Sequence, residues 1–243
     1  MLSQKISLQK THDFCHVKDP RLTVVFIHGI ATDSSSFDNA IRYLEGTRSL
    51  KDVRFVAFDL LGSGKSLKSD KLDYGFKDQL SALHNSISKL KVKTPLVLVG
   101  HSMGTLIVSR YANEHKRIVN QLVLISPPIY TENDLDNPAF KAGIKVFTDA
   151  VSIKNHKIIE EKPFKNSMSK IVLSRHNYDN FVNLAVPTVL IYGNMDQFIA
   201  SYNIPKLLKV NPNLFAIKTE GRHGVSRDKY TKMVDILEEM LNA

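Results

Sequence analysis

The sequence predicts a doubly wound, mostly parallel α/β sheet with a helical insertion. Short β-branched runs alternate with helical patterns along most of the chain, and one long interval between two strands carries helical patterns only. The strand runs are apolar almost throughout rather than at every second position. This pattern is typical of strands buried on both faces, as the strands of a parallel sheet are.

The strands are predicted at six places, and helical patterns fill most of the spaces between them. The strands cover residues 23–27, 53–58, 95–99, 121–125, 187–192 and 214–218. The helices cover residues 37–44, 76–90, 103–115 and 228–241, the last with apolar residues on one stripe at spacings of three and four. The first twenty residues, with Ile6, Leu8 and Val17, are predicted to form an N-terminal hairpin.

The interval 127–185 breaks this alternation, because its patterns are helical only and centre on residues 140–151 and 168–184. One crossover between neighbouring strands does not need so much helix. We therefore expect a core of residues 1–126 and 186–243, with residues 127–185 covering one end of the sheet. The apolar residues of the interval could line a substrate pocket or simply seat the segment.

The composition fits one globular domain. Of the 243 residues, 43% are hydrophobic and 23% are charged, which excludes a disordered chain. No apolar run approaches the roughly 20 residues needed to cross a bilayer, so no membrane span is predicted. The single cysteine, Cys15, excludes an intramolecular disulfide, and residues 1–5 contain no apolar leader segment. These features predict a cytoplasmic protein.

The net charge of +9 is concentrated in one interval. Residues 61–126 contain ten Lys and Arg against four Asp and Glu, and so contribute +6 of the +9. The few aromatic residues of this interval, Tyr74, Phe76 and Tyr111, do not alternate with the lysines, and no nucleic-acid-binding module is visible. A solvated lysine-rich surface is the better interpretation, and no nucleic-acid partner is predicted.

Residues 100–104, Gly-His-Ser-Met-Gly, form a G-x-S-x-G motif after a predicted strand and before a predicted helix. This turn forces Ser102 into a strained backbone conformation and exposes its hydroxyl at the sheet edge. A Cβ atom at Gly100 or Gly104 would strike the neighbouring strand or helix. The motif therefore predicts that Ser102 is a nucleophile.

A serine nucleophile needs a base, and the base needs a carboxylate to orient it. Asp196 follows the strand 187–192, and His223 follows the strand 214–218, so both leave the carboxyl ends of strands, where open α/β sheets place their sites. The carboxylate could instead follow the strand 121–125, but no acid occurs there before Glu132. Asp196 is therefore preferred.

An oxyanion site is predicted beside Ser102. His28, Gly29 and Ile30 directly follow the first central strand. The backbone amides of Ile30 and Met103 could donate hydrogen bonds to an oxyanion that develops in the reaction. His28 and Gly29 support this turn.

Two other motifs do not predict a cofactor or metal site. Residues 64–66, Gly-Lys-Ser, resemble the end of a phosphate-binding loop, but Asp59 stands where that motif requires glycine. Residues 12–16 contain two histidines and a cysteine, but alternate residues of an extended segment face opposite sides and a fourth ligand is missing. Neither a cofactor nor a metal ion is therefore expected.

These motifs resemble the α/β-hydrolase superfamily over nearly the whole chain. Besides residues 100–104, the resemblance rests on residues 27–29, 59–66, 191–196 and 221–224. It implies that Ser102 is the nucleophile, His223 the base and Asp196 the acid, and that residues 127–185 are a cap. Thr105 departs from the pattern, since many capped members carry a second glycine there.

The expected function is that of a serine hydrolase, with no cofactor, acting on carboxylic esters or a related small acyl substrate. Fold and triad do not fix the reaction, so a lyase or a C–C bond hydrolase using the same triad is an alternative. A non-catalytic ligand receptor of the same fold is the alternative from a different class.

Overall fold

The computed structural model describes residues 5–154 and 159–242, without the side chains of residues 150–154. Most of residues 1–5, where no leader segment is predicted, and residues 155–158 of the insertion lie outside the described residues. The strands are β1 (Gln9–Phe14), β2 (Leu22–Ile27), β3 (Val53–Asp59), β4 (Leu96–His101), β5 (Gln121–Ile125), β6 (Thr188–Gly193) and β7 (Leu214–Thr219).

The strands form one sheet in the order β1-β3-β2-β4-β5-β6-β7. Strands β2 to β7 are parallel, and β1 is antiparallel to β3. The six predicted strands are confirmed as the parallel part of the sheet. The chain passes from β2 to β3 on one side and then crosses to β4 on the other, so the strand order reverses between β2 and β4. Crevices at such switch points hold the sites of open α/β sheets.

The predicted N-terminal hairpin is wrong. Among residues 5–20, which the structure describes, β1 is the only strand, and it pairs with β3 in the register Gln9↔Asp59 to Phe14↔Phe55. Strand β2 cannot be the hairpin partner because both of its edges are already paired, with β3 and with β4. The N-terminal segment therefore adds an antiparallel strand at the edge of the sheet.

Helices cover both faces of the sheet, as the doubly wound prediction requires. Their bounds are α1 (Asp38–Gly46), α2 (Phe76–Leu90), α3 (Met103–Glu114), α4 (Glu132–Asp136), α5 (Pro138–Lys154), α6 (Glu161–Ser167), α7 (Asn177–Val182), α8 (Ile204–Val210) and α9 (Arg227–Asn242). Helices α1 and α9 pack on one face, and α2, α3 and α8 pack on the other. Helix α8 has only seven residues and was not predicted from the sequence.

The two faces of the sheet contribute to separate apolar cores. In β2, Val25 and Ile27 join the core beneath α2 and α3, while Val24 and Phe26 join the core beneath α1 and α9. All six residues of this strand are buried. This burial on both faces explains why the strand runs are apolar at successive positions rather than alternate ones.

The described part of the insertion 127–185 contains helices α4 to α7 and a π-helical turn, Met168–Val172. The pattern over 168–184 is not one helix, because the chain turns between Val172 and Asn177. The buried side-chain amide of Asn177 donates to the carbonyls of Ile171 and Val172 at 2.7 and 3.1 Å. It thereby satisfies carbonyls that a continuing helix would bond.

The insertion contacts loops that follow sheet strands at their carboxyl ends. After β3, Ser63 forms an isolated antiparallel bridge with Ile159, and the Ser167 hydroxyl donates to the Tyr74 carbonyl at 3.3 Å. On the other side, the carboxylate of Asp134 in α4 accepts a 2.8 Å hydrogen bond from Asn203, which precedes α8. The segment is thus joined to the sheet domain on two sides. Within the described ranges, no helix is long and apolar enough to cross a membrane.

Candidate active site

Ser102 lies in the sharp turn between β4 and α3, with φ 50° and ψ −120°. This conformation is costly for a residue with a side chain. The turn is tight on both sides: a Cβ atom at Gly104 would lie 2.2 Å from the carbonyl oxygen of Ile27, and one at Gly100 would lie 2.7 Å from the Cα of Thr105. These close approaches agree with the reason given for the two glycines of the motif.

The structure brings Ser102, His223 and Asp196 together, although they lie far apart in the chain. His223 Nε2 is 2.8 Å from Ser102 Oγ, and His223 Nδ1 is 3.0 Å from both carboxylate oxygens of Asp196. Asp196 follows β6 and His223 follows β7, so the three side chains meet at the carboxyl edge of the sheet. This chain of contacts can pass a proton from the hydroxyl to the imidazole while the carboxylate fixes the ring.

Asp196 is held as an anion by several donors. Its side chain is fully buried and accepts hydrogen bonds from His223 and from the Phe198 amide, both at 3.0 Å. Burial alone would raise the pKa of Asp196, but the hydrogen bond and charge of His223, with the Ser126 hydroxyl and the Phe198 amide, outweigh it. The pKa therefore lies below the ordinary aspartate value.

His101 supports the loop that carries His223. Its Nε2 is 2.9 Å from the backbone carbonyl oxygen of His223. Burial, reinforced by the charge of a protonated His223, lowers the pKa of His101 to about 3. The ring is therefore neutral at neutral pH, and its proton sits on Nε2, because the carbonyl can only accept.

His28 connects the loops that follow β2 and β3. Its Nε2 accepts a 2.9 Å hydrogen bond from the Leu60 amide, so its proton is on Nδ1, which donates to the Gly29 carbonyl at 2.7 Å. Burial lowers the pKa of His28, which favours the neutral ring that this pattern needs. The fixed turn brings Gly29 against the elbow, where a Cβ atom would lie 3.1 Å from Ser102 Cβ.

The two predicted oxyanion donors lie at this same junction. Ile30 follows Gly29 in the turn after β2, and Met103 is the first residue of α3. Within residues 5–154 and 159–242, neither backbone amide donates a hydrogen bond to another group. Both donors are thus available to a ligand, and the start of α3 adds the partial positive charge of a helix N-terminus.

Two residues of the site were not identified from the sequence. Ser126 follows β5, at the position considered above for an alternative carboxylate, and its hydroxyl instead helps to lower the pKa of Asp196. Lys229, in α9, is completely buried and donates to Ser126 Oγ at 2.8 Å. Burial lowers the pKa of Lys229, and the charge of Asp196 opposes this shift. Helical spacing was the available signal for Lys229, since it lies four residues before Met233 on the buried stripe.

An apolar cavity of about 370 Å³ lies beside the candidate site. The rings of Phe198 and His223 lie at 72° to each other, with 5.3 Å between their centroids, and the ring centroid of Phe147 in α5 lies 5.0 Å from that of Phe198. The cavity therefore lies between the insertion and the loop after Asp196. Its apolar lining includes Tyr130, Phe140, Ile144, Phe147, Phe198 and Tyr202.

The phosphate-loop-like residues 64–66 surround a carboxylate. Asp59 accepts hydrogen bonds from the amides of Ser34 and Lys65 at 2.9 and 2.8 Å. A Cβ atom at Gly64 would lie 2.2 Å from the same carboxylate. The Lys65 amide of this motif therefore bonds to the Asp59 side chain instead of a phosphate, which gives the motif a structural role.

The chain is similar in sequence to proteins that are named as lipases or lysophospholipases. A plant protein named "Probable lysophospholipase BODYGUARD 2", from Arabidopsis thaliana, is 34% identical over 114 residues, which are 46% of this chain and 24% of that protein. The chain thus spans about a quarter of the length of the plant relatives it matches. "Lipase 1" of Psychrobacter immobilis is 21% identical over 81% of this chain and 69% of its own length.

Solved structures agree on the fold. A carboxylesterase of the thaumarchaeon Nitrososphaera gargenis has a TM-score of 0.73 with 20% identity, over 100% of this chain and 97% of that one. An esterase from Exiguobacterium antarcticum has a TM-score of 0.71 with 18% identity, over 99% and 100% of the two chains. The family model described as "alpha/beta hydrolase fold" matches residues 23–150, more than half of the chain. The chain therefore belongs to the α/β-hydrolase fold family.

Proposed function

We propose that this chain is a serine hydrolase that cleaves carboxylic esters, or related small acyl substrates, through an acyl-enzyme on Ser102. The observation that carries the proposal is the unbroken contact from Ser102 Oγ to His223 to Asp196, at 2.8 and 3.0 Å, with the serine in a strained elbow. Relatives named as lysophospholipases and lipases support the same chemistry.

In the proposed mechanism, Ser102 Oγ attacks the carbonyl carbon of the substrate while His223 takes the hydroxyl proton. The carbonyl oxygen becomes an oxyanion, which the amides of Ile30 and Met103 stabilise. The intermediate collapses as the C–O bond to the alcohol breaks, and His223 returns the proton to the leaving oxygen. A water molecule, deprotonated by His223, then attacks the acyl-enzyme and releases the acid and free Ser102.

Asp196 keeps the imidazole in the orientation that this sequence of steps requires. Because Asp196 already accepts a hydrogen bond from the Phe198 amide, its carboxylate is fixed before His223 is protonated. A carboxylate in this state stabilises the imidazolium that forms in the transition state.

The proposed substrate has an apolar acyl chain, and residues 127–185 form the cap that helps to bind it. The cavity of about 370 Å³ supports this assignment, because Phe147 of the insertion and Phe198 beside His223 both line it. A chain of several methylene groups fits a lining of this kind, and each buried methylene contributes about 0.8 kcal/mol.

Labelling and turnover together test the proposal. We expect a fluorophosphonate to modify Ser102, as shown by intact mass and peptide mapping, and p-nitrophenyl esters to be hydrolysed. Ser102→Ala should lower kcat by on the order of 10³-fold or more and abolish labelling. Asp196→Asn should fold normally, label slowly and lose kcat heavily.

The same measurements separate the alternatives. A receptor of this fold would bind acyl ligands without ester turnover in the wild-type protein. A lyase or C–C bond hydrolase would label at Ser102 yet release no p-nitrophenol. Turnover that persists unchanged in Ser102→Ala would contradict the assignment of the nucleophile.

A further inference from the structure

Lys229 is a completely buried lysine in the first turn of α9. Its ammonium group forms no ion pair within the residues that the structure describes, and its three hydrogen-bond acceptors are all neutral. They are Ser126 Oγ at 2.8 Å, the Arg222 carbonyl at 2.6 Å and the Gly224 carbonyl at 2.9 Å. Burying a charge without a bonded counter-ion is costly, so a role for this group is expected.

The acceptors of Lys229 surround His223. The carbonyls of Arg222 and Gly224, on either side of His223, bond to Lys229, and the carbonyl of His223 itself bonds to His101 Nε2 at 2.9 Å. Two buried side chains therefore hold three successive carbonyls of a loop that forms neither helix nor strand. Because the backbone is held at these points, the His223 ring can move mainly by rotation about its side-chain bonds.

The third acceptor, Ser126, connects Lys229 to Asp196. An ammonium group can only donate hydrogen bonds, so Ser126 Oγ must accept the bond from Lys229. The single hydroxyl proton of Ser126 is then free to point toward the carboxylate of Asp196, whose pKa the Ser126 hydroxyl helps to lower. Lys229 thus fixes the direction of the donor to Asp196, and chains of such bonds strengthen one another.

We propose that Lys229 is a positioning residue for the reaction at Ser102: it holds the backbone on both sides of His223 and, through Ser126, orients the donor to Asp196. This inference rests on the proposed function, in which His223 is the base. Lys229 itself does not contact the reacting atoms, because its hydrogen bonds go to Ser126 and to the backbone carbonyls of residues 222 and 224.

Three variants test this role. Lys229→Met keeps an unbranched apolar stem and removes all donors, whereas Lys229→Gln keeps an amide that can still donate. Lys232→Met is the matched control, because Lys232 is a lysine of the same helix whose side chain is about half exposed. We expect kcat on a p-nitrophenyl ester to fall on the order of 100-fold in Lys229→Met, less in Lys229→Gln and not at all in Lys232→Met.

The split between kcat and KM separates positioning from substrate binding. In Lys229→Met, KM should stay within about threefold of wild type, and the rate of phosphonate labelling at Ser102 should fall in parallel with kcat. A folded Lys229→Met protein with wild-type kcat would overturn the proposal, and so would a change confined to KM.

Ser126→Ala provides a second variant in case Lys229→Met does not fold. It leaves the two carbonyl contacts of Lys229 in place and should lower kcat on the order of tenfold. Wild-type kcat in Ser126→Ala would refute the link to Asp196. In a folded double variant with Lys229→Met, the two losses should not multiply, because both variants break the same chain of bonds.

A spectroscopic readout is independent of ester turnover. The proton between His223 Nδ1 and Asp196 should give a downfield NMR resonance in the wild type and in Lys232→Met, and it should broaden or disappear in Lys229→Met and weaken in Ser126→Ala. An unchanged resonance in both Lys229→Met and Ser126→Ala would refute the inference even if the protein proved to catalyse another reaction. Absence of wild-type turnover with the expected loss of the resonance would refute only the proposed function.

Discussion

Ser102 holds a backbone conformation that disfavours any side chain, with φ 50° and ψ −120°. Strain of this kind costs about 1–3 kcal/mol and persists only where the surroundings enforce it. Here Gly104 allows α3 to begin directly against β2, and the Ser102 amide donates to the Ile125 carbonyl at 2.9 Å. The backbone strain that presents the Ser102 hydroxyl therefore lowers the stability of the fold.

This strain can be measured by removing the Cβ atom. We expect Ser102→Gly to be more stable than Ser102→Ala by about 1 kcal/mol, because glycine adopts positive φ readily, and part of this gain is offset by its greater freedom in the unfolded chain. Urea unfolding of the two variants gives the difference. Equal stabilities, or a less stable glycine variant, would show that the turn stores no strain at this position.

The residues that contact the proposed nucleophile were predictable, and those that hold them in place were not. Ser102, Asp196 and His223 follow strands in a recognisable order, so sequence position alone brings them to one edge of the sheet. Ser126 and Lys229 act through contacts between β5 and α9 that no local motif encodes. A lysine on a buried helical stripe is a signal, but sequence alone does not say what its charge faces.

At the scale of elements, β1 is held by an ion pair as well as by the sheet. Asp13 of β1 accepts hydrogen bonds from Arg54 of β3 at 2.7 and 2.8 Å, one to each carboxylate oxygen. The hydrogen bond from Arg54 is the largest cause that lowers the pKa of Asp13 to about 2. A bidentate pair of this geometry is stronger than most surface ion pairs.

The contribution of this pair should depend on pH. The folded pKa of Asp13 is below the ordinary value of 3.8, so its stabilising effect is fully present above about pH 4 and is lost as pH falls through about 2. We expect Asp13→Asn to destabilise the protein by about 1 kcal/mol at pH 6, after allowing for solvent screening, and by much less near pH 2. Urea unfolding across this range measures the difference.

Asp19→Asn, at an exposed aspartate of the same N-terminal region, is the control. It should change stability little at any pH. A loss in Asp13→Asn that is the same at pH 2 and pH 6 would show that the charge of Asp13 does not hold β1 in place.

Helix α5 should determine acyl chain length if the proposed cap binds substrate. Phe147 lines the cavity, whereas Val146, the preceding residue, is 69% exposed. Phe147→Trp should fill part of the cavity and raise KM for a decanoate ester several-fold, while KM for acetate changes little. Val146→Ala should leave both values unchanged. Equal effects of Phe147→Trp on the KM of the two esters would show that the cavity does not bind the acyl chain.

Elements could be predicted where burial makes the sequence apolar. They could not be predicted where the structure depends on which strands pair. The parallel strands are apolar because both of their faces are covered, so their positions could be read directly. The N-terminal segment was assigned to a hairpin because local sequence does not show that both edges of β2 are occupied. The pattern over 168–184 concealed a break, which depends on one asparagine side chain, Asn177.

For the whole molecule, the net charge of +9 should raise the association rate of anionic substrates. We expect kcat/KM for an anionic monoester to fall several-fold between about 10 mM and 500 mM salt, because screening shortens the reach of the positive field. A neutral ester of the same chain length should change by less than about twofold. Equal salt dependence for the two esters would show that the positive charge does not steer substrate.

The separation of Ser102 and His223 by 121 residues has a consequence for newly made chains. At ordinary translation rates of about 5–20 residues per second, the serine is synthesised roughly 6–24 s before its proposed base. Lys229, which holds the loop of that base, is made later still. Throughout this interval a nascent chain carries the serine without its proposed base, so the proposed reactivity can arise only after β7 and the loop that follows it have been synthesised.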